Sequence, residues 1–171
     1  ILDTAGIPLI LVGDSASMTI YGYDTTVPVS MNEMLLVVKA VTRGVKQSLV
    51  VADMPFLSYQ PSVEETIKNA GILMKKGGAN AVKLEGGEHV KKNIHALVQS
   101  GIPVLGHVGL MPQSVNQTSG YKIQGKTNDD AAQILKDAKA VESSGAFGVV
   151  LECIPEELAT KITNQLSIPT I

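Results

Sequence analysis

Short apolar runs rich in β-branched residues recur along the chain at positions 7–12, 49–52, 81–84, 102–105 and 147–151, and another begins at Ile168. They are nearly continuous in apolar side chains instead of alternating. That is the pattern of strands buried on both faces, and so of a parallel sheet covered by helices. Helical periodicity fills the intervals. Ser30 and Glu33 have the spacing of a capping box, and Met34, Leu35, Val37, Val38 and Val41 follow at helical period. Ser62 and Glu65 repeat the device ahead of Ile67, Ala70 and Met74. Val90, Ile94, Leu97 and Val98 form a third stripe, Ala131, Ile134, Leu135, Ala138 and Val141 a fourth, and Leu158, Ile162 and Leu166 a fifth. Three units close on a similar phrase: Gly6-Ile7-Pro8, Gly101-Ile102-Pro103 and Ser167-Ile168-Pro169. Each stops a helix and starts a strand, where proline is tolerated.

This βα alternation fits two architectures, an open doubly wound sheet and a (β/α)8 barrel. Strand after strand ends in a polar group: Asp14-Ser15, Asp53, Lys83-Leu84-Glu85, His107 and Glu152. In an open sheet ligands gather at the switch point, whereas in a barrel every C-terminal strand end opens on one mouth. The pattern predicts the α/β class and a (β/α)8 TIM barrel. Such a barrel takes about 250 residues, so 171 residues amount to about six of eight units. Residues 1–6 read as the last turn of a helix capped by Gly6, and 168–171 as a strand just begun. The expectation is a single barrel domain over 1–171, incomplete at both ends, lacking the first strand and the C-terminal portion.

Composition narrows the partners. With 14 Lys+Arg against 16 Asp+Glu the net charge is −2, and aromatic residues make up 4%. A near-neutral surface poor in stacking side chains argues against nucleic acid or an acidic membrane as partner. No run of about 20 apolar residues is present to span a bilayer. The single cysteine, Cys153, makes no internal disulfide and suits a reducing compartment.

The polar strand ends also suggest a chemistry. Asp14, Asp53 and Glu85 offer hard oxygen ligands from three strands to one mouth, a set suited to Mg2+ completed by substrate oxygens and water. Lys83 and Glu85, two apart on a strand, share the interior face. Lys83 can hold a substrate carboxylate or polarise its carbonyl, with a Schiff base as its other reading. Glu152 is left for proton transfer, and together these groups suggest proton abstraction beside a carbonyl with Mg2+ stabilising the enolate. Each element has a plainer reading too. A single strand-end Asp is commonly a cap, and His107 is equally well a structural histidine. His89 and His95 read as surface residues, Cys153 as a buried small hydrophobe and the methionines as core filler. Residues 109–128 form the longest connection without a periodic pattern, which suggests a lid or binding loop.

The phrases LVGDS (11–15), YGYDTTVPV (21–29), VADMPF (51–56), AVKLEGGE (81–88), GHVGLMPQSVN (106–116), GYKIQGK (120–126) and LECIP (151–155) resemble the ketopantoate hydroxymethyltransferase family. The resemblance runs through nearly the whole chain, and it implies a (β/α)8 barrel. It also implies Asp14, Asp53 and Glu85 as Mg2+ ligands, with Ser15, Lys83, Asp14 and Asp53 around the 2-oxo acid. Glu152 matches the general base, and His107 a residue of the active-site region. The implied reaction carries a hydroxymethyl group from 5,10-methylenetetrahydrofolate to 3-methyl-2-oxobutanoate, giving 2-dehydropantoate in pantothenate biosynthesis. A homo-oligomer working in the cytoplasm, or in a mitochondrion of a eukaryote, is the corresponding setting. Ser119 stands where glycine is common in the family, Lys126 where arginine is, and Met54 where leucine is. Two other readings stand beside this one: a Mg2+-dependent C–C lyase or mutase of the isocitrate-lyase-like kind, and a non-catalytic truncated homologue.

Overall fold

In the computed structural model, residues 1–118 and 120–171 are described; Ser119 lies outside them. The elements are β1 (Leu9–Val12), α1 (Ala16–Thr19), α2 (Met31–Gly44), β2 (Leu49–Asp53), α3 (Val63–Lys75) and β3 (Ala81–Glu85). They continue with α4 (Lys91–Gln99), β4 (Val104–Gly109), α5 (Val115–Thr118), α6 (Asn128–Ser143), β5 (Gly148–Glu152) and α7 (Glu156–Thr163), with 3-10 turns at Glu88–Val90 and Pro112–Ser114. The five strands are parallel and lie side by side in chain order.

Strand order and helix placement together separate the two candidate architectures. The main core joins helix residues such as Met34, Val38, Leu73, Ile94, Leu97 and Val141 to the strand residues Val50, Ala52, Val82, Leu84, Val104 and Val149. The opposite sheet face carries its own small cluster, Val51, Ala81 and Leu105, flanked by Leu9, Phe147 and Val150, with no helix residue in it. A doubly wound sheet has helices on both faces and reverses its strand order. Helices on one face of a sequentially ordered parallel sheet make a half-barrel. The run at 168 starts a strand beside β5, as expected: Thr170 bridges Val149 in parallel, Val149 N donates to Pro169 O, Ile171 N to Val149 O and Leu151 N to Ile171 O. Residues 1–6 form a single helical turn closed by Gly6, as expected: Ala5 N donates to Ile1 O, Gly6 at φ +79° donates to Asp3 O, and Ile7 N reaches back to Leu2 O. Asp3 ties this segment to the start of β2 by accepting from the backbone of Lys46, Gln47 and Ser48, which holds its carboxyl well below the usual range.

The local signals work as their chemistry dictates. Ser30 accepts from Glu33 N while Glu33 takes Ser30 N, closing the box at α2. At α3, Ser62 accepts from Glu65 N, but the Glu65 carboxylate pairs with Lys68 at 3.0 Å. The prolines that open strands lack an N–H, and each uses its carbonyl instead. Pro8 accepts from Leu49, Pro103 from Val82 and Pro169 from Val149, at 2.8–3.1 Å. Among the described residues no helix is long and apolar enough to cross a membrane.

One glycine fixes how β4 meets β5. Gly109 has φ +95°, and a Cβ there would stand 2.3 Å from Glu152 O. Gly109→Ala is therefore expected to lower the stability of the full-length protein by at least about 2 kcal/mol, combining backbone strain with a clash against main chain. Chemical denaturation measures this, and a cost below about 0.5 kcal/mol would show that the two strand ends part easily.

Candidate active site

The pleat sends every second residue of each strand to the helix-free face, and register sets the neighbours. Asp53 lies opposite Lys83, Glu85 opposite His107, and Gly109 opposite Glu152. Asp14 and Ser15 follow β1 at the same end. All seven expected residues, Asp14, Ser15, Asp53, Lys83, Glu85, His107 and Glu152, line one cavity of about 170 Å3. Asp14, Asp53, Lys83, Glu85 and His107 are buried, Glu152 is half-buried and Ser15 is exposed. A larger cavity of about 340 Å3 lies between Val108 and the α6 residues Ile134 and Asp137, and none of the seven lines it.

A chain of polar contacts crosses the site. Lys83 Nζ is 2.8 Å from Asp53 Oδ1, and Asp53 Oδ2 accepts from the backbone N–H of Asp14 at 3.2 Å. On its other side Lys83 Nζ is 3.1 Å from His107 Nδ1. An ammonium only donates, so Nδ1 is the accepting nitrogen and the ring proton sits on Nε2. Nε2 in turn stands 3.2 Å from Glu152 Oε2, close but off the hydrogen-bond axis. Burial and the Lys83 charge push the His107 pKa down, so the ring is neutral. The His107 contact, opposed by partial burial, holds the Glu152 carboxyl below its ordinary value. Glu152 is therefore an ionised carboxylate at neutral pH, beside a neutral imidazole.

The remaining carboxylates behave in the opposite way. Burial first, then the neighbouring Asp53 charge, raises Asp14 to about 7. Burial raises Glu85 to about 8 against the pull of Lys83. Burial alone would lower the Lys83 pKa, but Asp53, Glu85 and Asp14 outweigh it, so the ammonium persists. When ionised, three carboxylates face one ammonium, an excess of two negative charges. Asp53 Oδ1 and Glu85 Oε1 are buried without an aligned hydrogen-bond partner. Among the described residues no three of His, Cys, Asp and Glu are grouped to hold a metal by themselves. The donor set nonetheless fits a hard divalent cation of the kind that takes one or two carboxylates and completes its shell with water and substrate oxygens.

The raised pKa values set a pH dependence. An acid whose folded pKa lies above its unfolded value favours the fold while protonated, so stability falls as pH rises from about 4 towards 8. The full-length protein without metal is expected to melt lower at pH 8.5 than at pH 5.5. Mg2+ should restore more at pH 8.5, because cation and protons compete for the same oxygens. A Mg2+-induced shift in Tm equal at both pH values would contradict this.

Two site residues carry no signal in the sequence pattern. Gln113, buried in the connection after β4, donates through Nε2 to Asp14 Oδ2 and to Met54 O, both at 2.9 Å, and through its backbone N–H to Glu85 Oε2 at 3.1 Å. Tyr59 donates to Gln113 Oε1 at 2.8 Å and accepts from Glu85 N at 3.2 Å. Two plainer expectations are corrected. Cys153 is exposed, because the turn that ends β5 gives it a φ of +51° and carries it out of the sheet. Met18 is 40% exposed on short α1 instead of filling core. His89 and His95 are at the surface as expected.

Comparison with known proteins bears on all of this. The family model described as ketopantoate hydroxymethyltransferase matches residues 1–171. Curated relatives named 3-methyl-2-oxobutanoate hydroxymethyltransferase include those of Thermobifida fusca, 53% identical over all of this chain, and Carboxydothermus hydrogenoformans, 57% identical over 99% of it. The chain spans 61% of the length of each. Among solved structures, phosphonopyruvate hydrolase in complex with oxalate and Mg++ matches at TM-score 0.69 and 14% identity, over 98% of this chain and 60% of that one. A putative lyase/mutase from Burkholderia cenocepacia matches at TM-score 0.71 and 12% identity, over 99% and 61%. At such identities the likeness is one of fold.

Proposed function

Because the chain belongs to the ketopantoate hydroxymethyltransferase family, we propose that the full-length protein transfers a hydroxymethyl group to 3-methyl-2-oxobutanoate on a (β/α)8 barrel. The donor is 5,10-methylenetetrahydrofolate, water supplies the hydroxyl oxygen, and the products are 2-dehydropantoate and tetrahydrofolate. What carries this reading is the convergence of four carboxylates, one lysine and one histidine on a single small cavity at the strand ends. At about 170 Å3 the cavity is smaller than the 300–1,000 Å3 typical of drug-sized ligands. It suits a small oxo acid, with the folate approaching from outside.

Asp14, Asp53 and Glu85 would hold Mg2+, the ion named with oxalate in the similarly folded phosphonopyruvate hydrolase. Bound there, the cation offsets the negative charge that grows on the keto oxygen as the C3 proton leaves. The side chains do the rest. Lys83, kept charged by its acidic neighbours, attracts the substrate carboxylate, and Ser15 at the mouth offers a hydroxyl to it. Water releases the one-carbon unit of the donor from both folate nitrogens, which take its two protons, leaving the carbon at the level of formaldehyde. Glu152 takes the C3 proton, the freed electron pair attacks that carbon, and the oxygen, protonated from Glu152, becomes the hydroxyl. His107 keeps Glu152 in place through Nε2. The C–C lyase or mutase reading shares the fold, but the family match over the whole chain favours transfer.

The test is direct. With Mg2+ and 5,10-methylenetetrahydrofolate, the full-length protein should consume 3-methyl-2-oxobutanoate and release 2-dehydropantoate. A folded protein that turns over the oxo acid without folate would support the lyase reading instead. A homo-oligomer, which light scattering on the full-length protein would reveal, and a cytoplasmic setting belong to the same proposal.

A further inference from the structure

The cavity is rich in acceptors and short of donors. Four of its lining side chains are carboxylates, and Lys83 is already placed between Asp53 and His107. Yet an anionic oxo acid must find donors there. Thr26 also lines the cavity, is 2% exposed, and its Oγ1 has no hydrogen-bond partner among the described residues. A buried hydroxyl without a partner is a cost the fold bears for a reason. Its loop is fixed on either side. Ser17 Oγ donates to Thr25 O at 2.6 Å, and Val27 N donates to Thr25 Oγ1 at 3.3 Å, so the neighbouring hydroxyl is turned to the backbone while that of Thr26 is left unspent.

We infer that Thr26 is a substrate-binding residue whose Oγ1–H donates to the carboxylate of the 2-oxo acid. This rests on the function proposed above. A neutral hydroxyl suits the place: it gives a charge-assisted hydrogen bond to the acid without a second cation to compete with Mg2+ for Asp14 and Glu85.

The experiment uses full-length wild type, Thr26→Val and Thr26→Ser, checked by thermal melting. Calorimetry measures the binding of 3-methyl-2-oxobutanoate and of oxalate, each with Mg2+, and then of Mg2+ alone. Thr26→Val, nearly the same shape without the hydroxyl, should weaken both acids about 10- to 100-fold and leave Mg2+ alone unchanged. Thr26→Ser should stay close to wild type. Unchanged affinity of Thr26→Val for both acids overturns the inference, as does a matching loss of Mg2+ alone, which would mark a structural role. Wild type that binds oxalate but not 3-methyl-2-oxobutanoate overturns the functional reading, and the oxalate affinities then decide Thr26. Wild type that binds neither acid overturns both.

Discussion

In the full-length protein, Glu152→Gln is expected to slow exchange of the C3 proton of 3-methyl-2-oxobutanoate while binding of Mg2+ and of the 2-oxo acid is kept. Proton transfer by a positioned side chain contributes about 10²–10⁴-fold, so deuterium uptake at C3, followed by NMR in heavy water, should fall by that amount, and turnover with it. The substitution is well suited to the question because it changes little else. Glutamine has nearly the same shape, it can keep an oxygen beside His107 Nε2, where Glu152 Oε2 stands at 3.2 Å, and the backbone carbonyl of residue 152 keeps its bond from Leu110 N at 2.8 Å. Only the basic site is gone. Exchange at the wild-type rate would remove Glu152 from the role of base and direct attention to another carboxylate of the mouth.

Lys83→Met should be costly in stability, and increasingly so as pH rises. Lys83 and Asp53 form a buried pair at 2.8 Å. Removing one member of such a pair leaves a charge buried and uncompensated, a loss of about 3–5 kcal/mol. On a protein of about 150–250 residues that corresponds to a fall in Tm of roughly 6–20 °C. The loss is largest near pH 8.5, where Asp14 and Glu85 are ionised as well, and smaller at pH 5.5, where protons neutralise them. The sign follows from the direction of those shifts: without the ammonium the two acids are pushed further up, and the range over which stability declines widens. His107 also loses the donor that fixes its accepting nitrogen, so exchange at C3 should drop in the same variant. Equal Tm losses at pH 5.5 and 8.5 would show that Lys83 acts through packing alone.

Much of this architecture was legible in residue order, for physical reasons. Strands buried on both faces must be apolar almost throughout, so polar residues at their ends stood out: Asp53, Glu85, His107 and Glu152. The Ser30–Glu33 box marked α2 because its two reciprocal bonds need those two residue types at that spacing. Where recognition depends on contacts far apart in the chain, pattern was silent. Gln113 lies 99 residues from Asp14 and reaches it from a segment without periodicity. Thr26 belongs to a loop whose neighbours are equally polar, and only its burial marks it. Cys153 misled because strand alternation was carried one residue past the end of β5, into a turn with φ of +51°.

Gln113 also bears on what the cavity can become. One side chain reaches the carboxylate after β1 and the backbone just beyond β2, while its own N–H takes the carboxylate that ends β3. It acts as a keystone, making the width of the mouth a single mechanical variable. Spreading one strand end to admit a bulkier acid would drag the other two with it and shift the oxygens meant for the cation. Substrate size and charge placement are thereby locked together, and a broader specificity cannot come from trimming the wall alone.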